Sequence, residues 1–216
     1  MLTLSDIKKN PQVLEFIKQT EISLNALSYT EHGLRHAELV TARAREIANR
    51  IGLEKREVEL AEIAGFVHDM GNFLSRTYHN YLASLLFHQI FMDDFPPAEI
   101  AIIMQAIANH DKEEMKFTSA ISAVVVLADK SDVHYSRVTD DGDDDIHDRV
   151  NRATELSRLK IDKNKKRIIL NLQINTSSVS VMEYFEIFTE RMVYCRKAAE
   201  FLGYDFGLVI NNFKLL

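Results

Sequence analysis

Gly65-Phe66-Val67-His68-Asp69-Met70-Gly71 ends an apolar run with an imidazole and a carboxylate side by side, followed two residues later by a glycine. Upstream, Val58, Ala61, Ile63, Ala64 and Val67 recur at helical spacing, while Glu54, Glu57, Glu59 and Glu62 mark a solvated side. The stretch reads as the end of a helix over 54–69 whose buried stripe thickens toward His68. Gly71 is expected to let the backbone turn sharply there. A polar pair in such a place must meet other polar groups inside the protein, because burying it alone is costly.

The flanking chain reads as helices. One covers 11–27, with Pro11 in its first turn. A second covers 31–50, capped by Thr30 and closed by Gly52, with His36, Val40, Ala44, Ile47 and Ile51 inward and His32 one turn before His36. After a loop over 72–78, a helix starts near His79 with Leu82, Leu85, Leu86, Ile90 and Phe91 as its stripe and His88 half-buried. Asp93 to Pro97 breaks it. The next helix, 98–109, turns Ile100, Ile103, Met104 and Ile107 inward and ends at His110-Asp111. From Thr118 as N-cap, Ala123 to Ala128 is apolar almost all round, which marks the most buried helix, ending at Asp129.

Asp140 to Asp145 is an acidic run interrupted by Gly142, without the alternation or closing Glu of a calcium loop, and reads as solvated. A helix is expected to resume over 145–159. The tail changes character: Ile168, Leu170, Leu172 and Ile174 alternate as in a strand, 177–202 is a long helix ended by Gly203, and 207–213 is a second strand. The fold class is mainly α, a helical bundle with a small C-terminal β-ribbon and long helix. Residues 1–160 form the helical domain and 161–216 an appendage packed on the same body.

Composition narrows the function. A chain of 216 residues that is 46% hydrophobic and 27% charged has a substantial globular core. Seven Gly and three Pro are too few for an all-β design. A net charge of −6 disfavours polymeric nucleic acid, but a bound cation could still attract a small phosphorylated ligand. The single Cys195 precludes an internal disulfide, and its helical apolar setting suggests an inert thiol. The sequence has no 18-residue apolar stretch and no signal-like N-terminus, so a cytoplasmic protein without a membrane partner is expected.

His36, His68, Asp69, His79, His110 and Asp129 all sit at inward positions or helix ends. Imidazoles and carboxylates without cysteine suit a divalent transition metal (Mn, Fe, Co, Ni or Zn), with Mg also admissible. The ordered set His36-Ala37-Glu38-Leu39-Val40, then Phe66-Val67-His68-Asp69-Met70-Gly71, then Val126-Leu127-Ala128-Asp129-Lys130 resembles the HD superfamily of metal-dependent phosphohydrolases. The likeness spans roughly residues 30 to 135.

That resemblance implies a metal held by His36, His68, Asp69 and Asp129. It implies in some members a second ion, for which His79 and His110 are in the right order and Asp69 would be the bridge. It also implies hydrolysis of a phosphate ester, on a nucleotide or other small phosphorylated molecule, by metal-activated water. His68 and Asp69 are the central catalytic candidates, and His110 and Lys130 are candidates for the general acid. Arg76, Lys130, His134 and Arg137 are candidates for substrate phosphate, the last three on a shared helical face. His32 is assigned to the site rim. The rival expectations are a non-catalytic sensing module and a di-iron oxygenase. A homodimer through the exposed edge of the C-terminal strands is a further expectation.

Overall fold

The helix over Ala120–Lys130, α7, is the axis of the protein, and every residue on it from Ile121 to Lys130 is buried. The computed structural model describes residues 2–112, 114–138 and 145–215. In chain order these form α1 (Leu4–Ile7), α2 (Pro11–Asn25), α3 (Leu34–Ile51), α4 (Lys55–Val67), α5 (His79–Phe91), α6 (Pro97–Asn109) and α7 (Ala120–Lys130). A 3-10 turn at Tyr135–Arg137 follows, then α8 (Ile146–Ala153), β1 (Thr154–Asp162), β2 (Arg167–Ile174), α9 (Val181–Phe201), β3 (Asp205–Ile210) and β4 (Phe213–Lys214). Helices α3, α4, α6 and α9 pack around α7. The class is mainly α with a C-terminal β element, as the sequence suggests. Asp140 to Asp144, read as a solvated loop, lie outside the described residues.

The β element is larger than a two-stranded ribbon. Its four strands lie in the order β1-β2-β3-β4, with β1 antiparallel to β2, β2 parallel to β3 and β3 antiparallel to β4. Helix α9 is the crossover that parallel pairing requires. Ile168, Leu170, Leu172 and Ile174 are buried as their alternation predicts. The helix expected over 145–159 instead stops at Ala153, and Thr154–Asp162 is strand β1, paired with β2 from Ile174 to Arg167. Leu156 and Leu159, three apart, imitate helical spacing on what is an edge strand. The boundary expected at residue 160 falls inside β1.

Several element limits differ for identifiable reasons. Helix α3 begins at Leu34, not Glu31, because the Glu31 carboxylate folds over the helix start. It accepts the Gly33 N–H at 2.7 Å and the His36 N–H at 3.4 Å, an anion at the positive helix end. Helix α7 is capped by Ser119 rather than Thr118. Glu62 is buried, not solvated, and bonds Arg45. In α5 the buried face is Asn80, Ala83, Ser84, Phe87 and Phe91, whereas Leu85 is 61% exposed and His88 is exposed. Asn80 and Ser84 donate to the Ala108 and Met104 carbonyls of α6, so small polar residues form the contact between the two helices.

Candidate metal centre

Five helices deliver the six groups. His36 lies in the first turn of α3, His68 caps the end of α4, His79 opens α5, His110 caps the end of α6, and Asp129 is the penultimate residue of α7. All six are buried. Asp69 leaves α4 in a turn braced by Asn72, whose side-chain amide donates to the Asp69 carboxylate at 2.9 Å and to its carbonyl at 3.0 Å. Gly71 serves here by close approach rather than by a special backbone turn, since its φ is not positive. A Cβ there would collide with the backbone of His79 and lie 2.5 Å from the Ala83 nitrogen, so the glycine lets α5 start directly against the His-Asp turn.

The two oxygens of Asp69 face different partners. Oδ2 lies 3.3 Å from His68 Nε2 and 3.6 Å from His36 Nε2. Oδ1 lies 3.3 Å from His79 Nε2 and 3.4 Å from His110 Nε2. Asp129 Oδ1 completes the first group, 3.3 Å from His36 Nε2 and 3.8 Å from His68 Nε2. Within each imidazole pair the Nε2 atoms approach closely, 3.3 Å for His36 and His68 and 3.0 Å for His79 and His110.

The outer ring nitrogens explain why four imidazoles converge. Each Nδ1 faces an acceptor: His36 the Asp132 carboxylate at 2.7 Å, His68 the Gly65 carbonyl at 2.8 Å, His79 the Arg76 carbonyl at 2.9 Å, and His110 the Ile107 carbonyl at 2.7 Å. Those acceptors hold the proton on Nδ1, which turns each Nε2 lone pair inward. Lone pairs gathered around two carboxylates form a donor set suited to a cation. Three overlapping sets, His36-His68-Asp69, His68-His110-Asp129 and Asp69-His79-His110, have ligand atoms close enough to hold one.

The charges agree. Burial opposes a charge on His68, but Asp69 and Asp129 overcome it and lift its pKa to about 10. Burial pushes His110 down to about 4, outweighing its hydrogen bond to Asp69. Burial would raise both Asp69 and Asp129, yet the former stays well below the usual range because of His68, His110 and His79, and the latter because of Lys130, His36 and His68. Without a metal, the pocket thus retains a proton as its positive charge. An HD domain family model matches residues 33–143, just over half of the chain. The chain belongs to the HD domain family. No curated protein matches it. This family consists largely of metal-dependent hydrolases, and the buried His/Asp cluster of this HD domain could hold a divalent metal.

Around the cluster, Lys130 reaches in from α7, its Nζ 2.7 Å from Asp111 and 3.0 Å from Asp129. Burial works against its charge, but those two carboxylates keep it protonated. Arg76 donates to Asn72 at 2.9 Å and rests over the Tyr29 ring. The shared face expected for Lys130, His134 and Arg137 does not form, because α7 ends at Lys130. His134 instead caps the 3-10 turn, with Nδ1 2.9 Å from Ser136 Oγ and Nε2 3.2 Å from the Glu155 carbonyl. Arg137 is fully buried and donates to the Asp132 and Glu31 carbonyls at 3.0 and 3.2 Å and to His32 Nε2 at 2.9 Å. Its guanidinium is engaged inside the protein. His32 precedes α3, and burial, followed by Arg137, keeps it well below the usual imidazole range and so neutral.

Three residues escaped the sequence reading. Asp132 orients His36, Asp111 faces His79 at 3.7 Å and pairs with Lys130, and Asn72 braces Asp69. Asp132 had a signal, standing three residues after Asp129 and just past the end of the same buried helix. Two cavities border the centre. One of about 630 Å³ includes Arg76, His79, Tyr81, Asp111 and Lys112 in its wall, and one of about 360 Å³ includes Tyr29, His32, Arg76 and Arg191. Among the described residues no helix is long and apolar enough to cross a membrane.

Proposed function

We propose that this HD protein is a metal-dependent phosphohydrolase acting on a nucleotide or another small phosphorylated molecule. The observation that supports it best is the division of Asp69, one oxygen toward His36 and His68 and the other toward His79 and His110. In this reading His36, His68, Asp69 and Asp129 hold one divalent ion, and Asp69, His79 and His110 a second. Manganese, iron, cobalt, nickel or zinc bound there would polarise the phosphoryl group and activate a water as nucleophile.

The chain's own residues do the rest. Asn72 fixes Asp69, and the four Nδ1 acceptors fix the imidazoles, so the site is organised before a ligand arrives. His110 acts as a ligand rather than a general acid: it is neutral and its Nδ1–H is committed to a carbonyl. Lys130, charged between Asp111 and Asp129, positions Asp129. Arg76, on the wall of both cavities, meets substrate phosphate.

The test is metal content and phosphate release from phosphomonoesters and phosphodiesters, for the wild type and Asp69→Ala. The wild type should carry divalent metal and hydrolyse at least one class, and the variant should lose both. Equal metal in the two proteins would overturn the reading. Metal without turnover on any ester would favour a sensing module, and bound iron with dioxygen consumption would favour an oxygenase.

A further inference from the structure

Helix α9 brings a guanidinium that the mechanism above does not use to the smaller cavity beside the metal centre. Arg191 lines the smaller cavity together with Arg76, Tyr29 and His32. Its guanidinium carbon lies 4.9 Å from the Phe188 ring centroid, and among the described residues it forms no hydrogen bond or ion pair. Burial lowers its pKa, Arg137 and Arg76 oppose its charge, and Asp129 and Asp111 support it, which puts it within electrostatic reach of the centre.

The other enclosed arginines have their partners within the fold: Arg43 donates to Ser131 Oγ and to the Ser157 carbonyl. Arg35 pairs with Glu31 and Asp132, Arg56 with Glu59 and Glu99, and Arg137 lies against Asp132. Arg76 resembles Arg191 in having no carboxylate partner among the described residues; its bonds go to Asn72 and toward His79. Asp145 and Asp148 also line the cavity. The Asp145 carboxylate accepts the Asp148 N–H at 2.9 Å as the N-cap of α8 and lies 3.5 Å from His147. Two guanidinium groups in one cavity, each without a carboxylate partner among the described residues, repel one another and are costly to desolvate unless an anion sits between them. Planar guanidinium forks match phosphate oxygens bidentately.

We infer that Arg191 and Arg76 form an anion clamp for a second phosphate of the substrate, one not attacked at the metal centre, so that the preferred substrates carry two or more phosphates. This rests on the phosphohydrolase reading for the first phosphate only. The second is recognised by the C-terminal helix, outside the stretch that the family model matches.

The test is calorimetric binding of inorganic tripolyphosphate to chelator-treated, metal-free protein, and of inorganic phosphate to manganese-loaded protein. Arg191→Gln should weaken tripolyphosphate binding by about tenfold or more while leaving manganese content and inorganic phosphate binding unchanged. Arg191→Lys, which keeps the charge and the stem over Phe188, should fall between Arg191→Gln and the wild type and guards against a folding defect. Wild-type tripolyphosphate affinity in Arg191→Gln, or loss of manganese from it, would overturn the clamp. If the wild type binds no metal but Arg191→Gln still weakens tripolyphosphate binding, the phosphohydrolase reading fails and the clamp stands.

Discussion

Asp132 Oδ2 accepts the Nδ1–H of His36 at 2.7 Å, and both side chains are wholly buried. Arg35 holds the same oxygen at 2.9 Å, and Arg137 lies against it. Burial would raise the Asp132 carboxyl, but Arg137, His36 and Arg35 hold it well below the usual range, so it is an anion. An anion behind the ring makes His36 a more basic donor at Nε2 and fixes its plane. Asp132→Asn keeps the shape and removes the charge. It should weaken metal binding by about 10–100-fold, measured by competition with a coloured chelator. Unchanged affinity would mean that Asp132 serves only to anchor Arg35 and Arg137.

Metal-free protein should show a pH profile set by His68. Its pKa is raised in the folded state, so the stability it contributes is complete below the ordinary imidazole value of 6.5 and is lost as pH rises toward about 10. Asp69 and Asp129 act in the opposite direction: their values are lowered, so their contribution is present above about pH 4 and lost in acid. Thermal melts in chelator should therefore fall from near pH 6.5 upward, and metal loading at neutral pH should release a proton. The proton count is read by calorimetry in buffers of different ionisation enthalpy. A flat alkaline limb together with no proton release would contradict the charge assignment.

Gly71→Ala should damage the centre from outside it. The added methyl would press on the backbone of His79 and Ala83, neither of which can yield as a flexible side chain can. The expected loss is about 1–3 kcal/mol in stability, by denaturant melts. Because His79 opens α5, a displaced helix start should also lower the metal stoichiometry. A variant as stable as the wild type, with full metal content, would show that the turn relaxes freely.

What the sequence reveals depends on how local the cause is. The apolar run ending at Asp129 and the alternation of Ile168 to Ile174 carry their own periodicity, and both elements form where they are read. The order of His36, His68-Asp69 and Asp129 is likewise visible, and these groups do meet. The misreadings arise where distant partners decide. Thr154 to Asp162 is a strand because β2 offers it a ladder, and its own outward charges hide the period of two. The phase of α5 follows Asn80 and Ser84, which face inward because α6 presents carbonyls to them. The residues after Lys130 look helical, yet Arg137 is drawn into the interior by the Asp132 and Glu31 carbonyls and by His32.

Arg43 of α3 donates to Ser131 Oγ at 3.0 Å and to the Ser157 carbonyl of β1 at 2.7 Å, while Ser157 Oγ donates to the Ser131 carbonyl at 2.6 Å. These bonds stitch the sheet edge to the end of the helix that carries Asp129. They also cross the end of the family-matched stretch at residue 143. A fragment cut there would lose the strand side of the stitch and the cover that α9 gives α7, exposing a helix that is apolar on almost every side. The family's recognisable core is therefore a unit of sequence kinship, and its physical integrity is leased from the seventy or so residues that follow it.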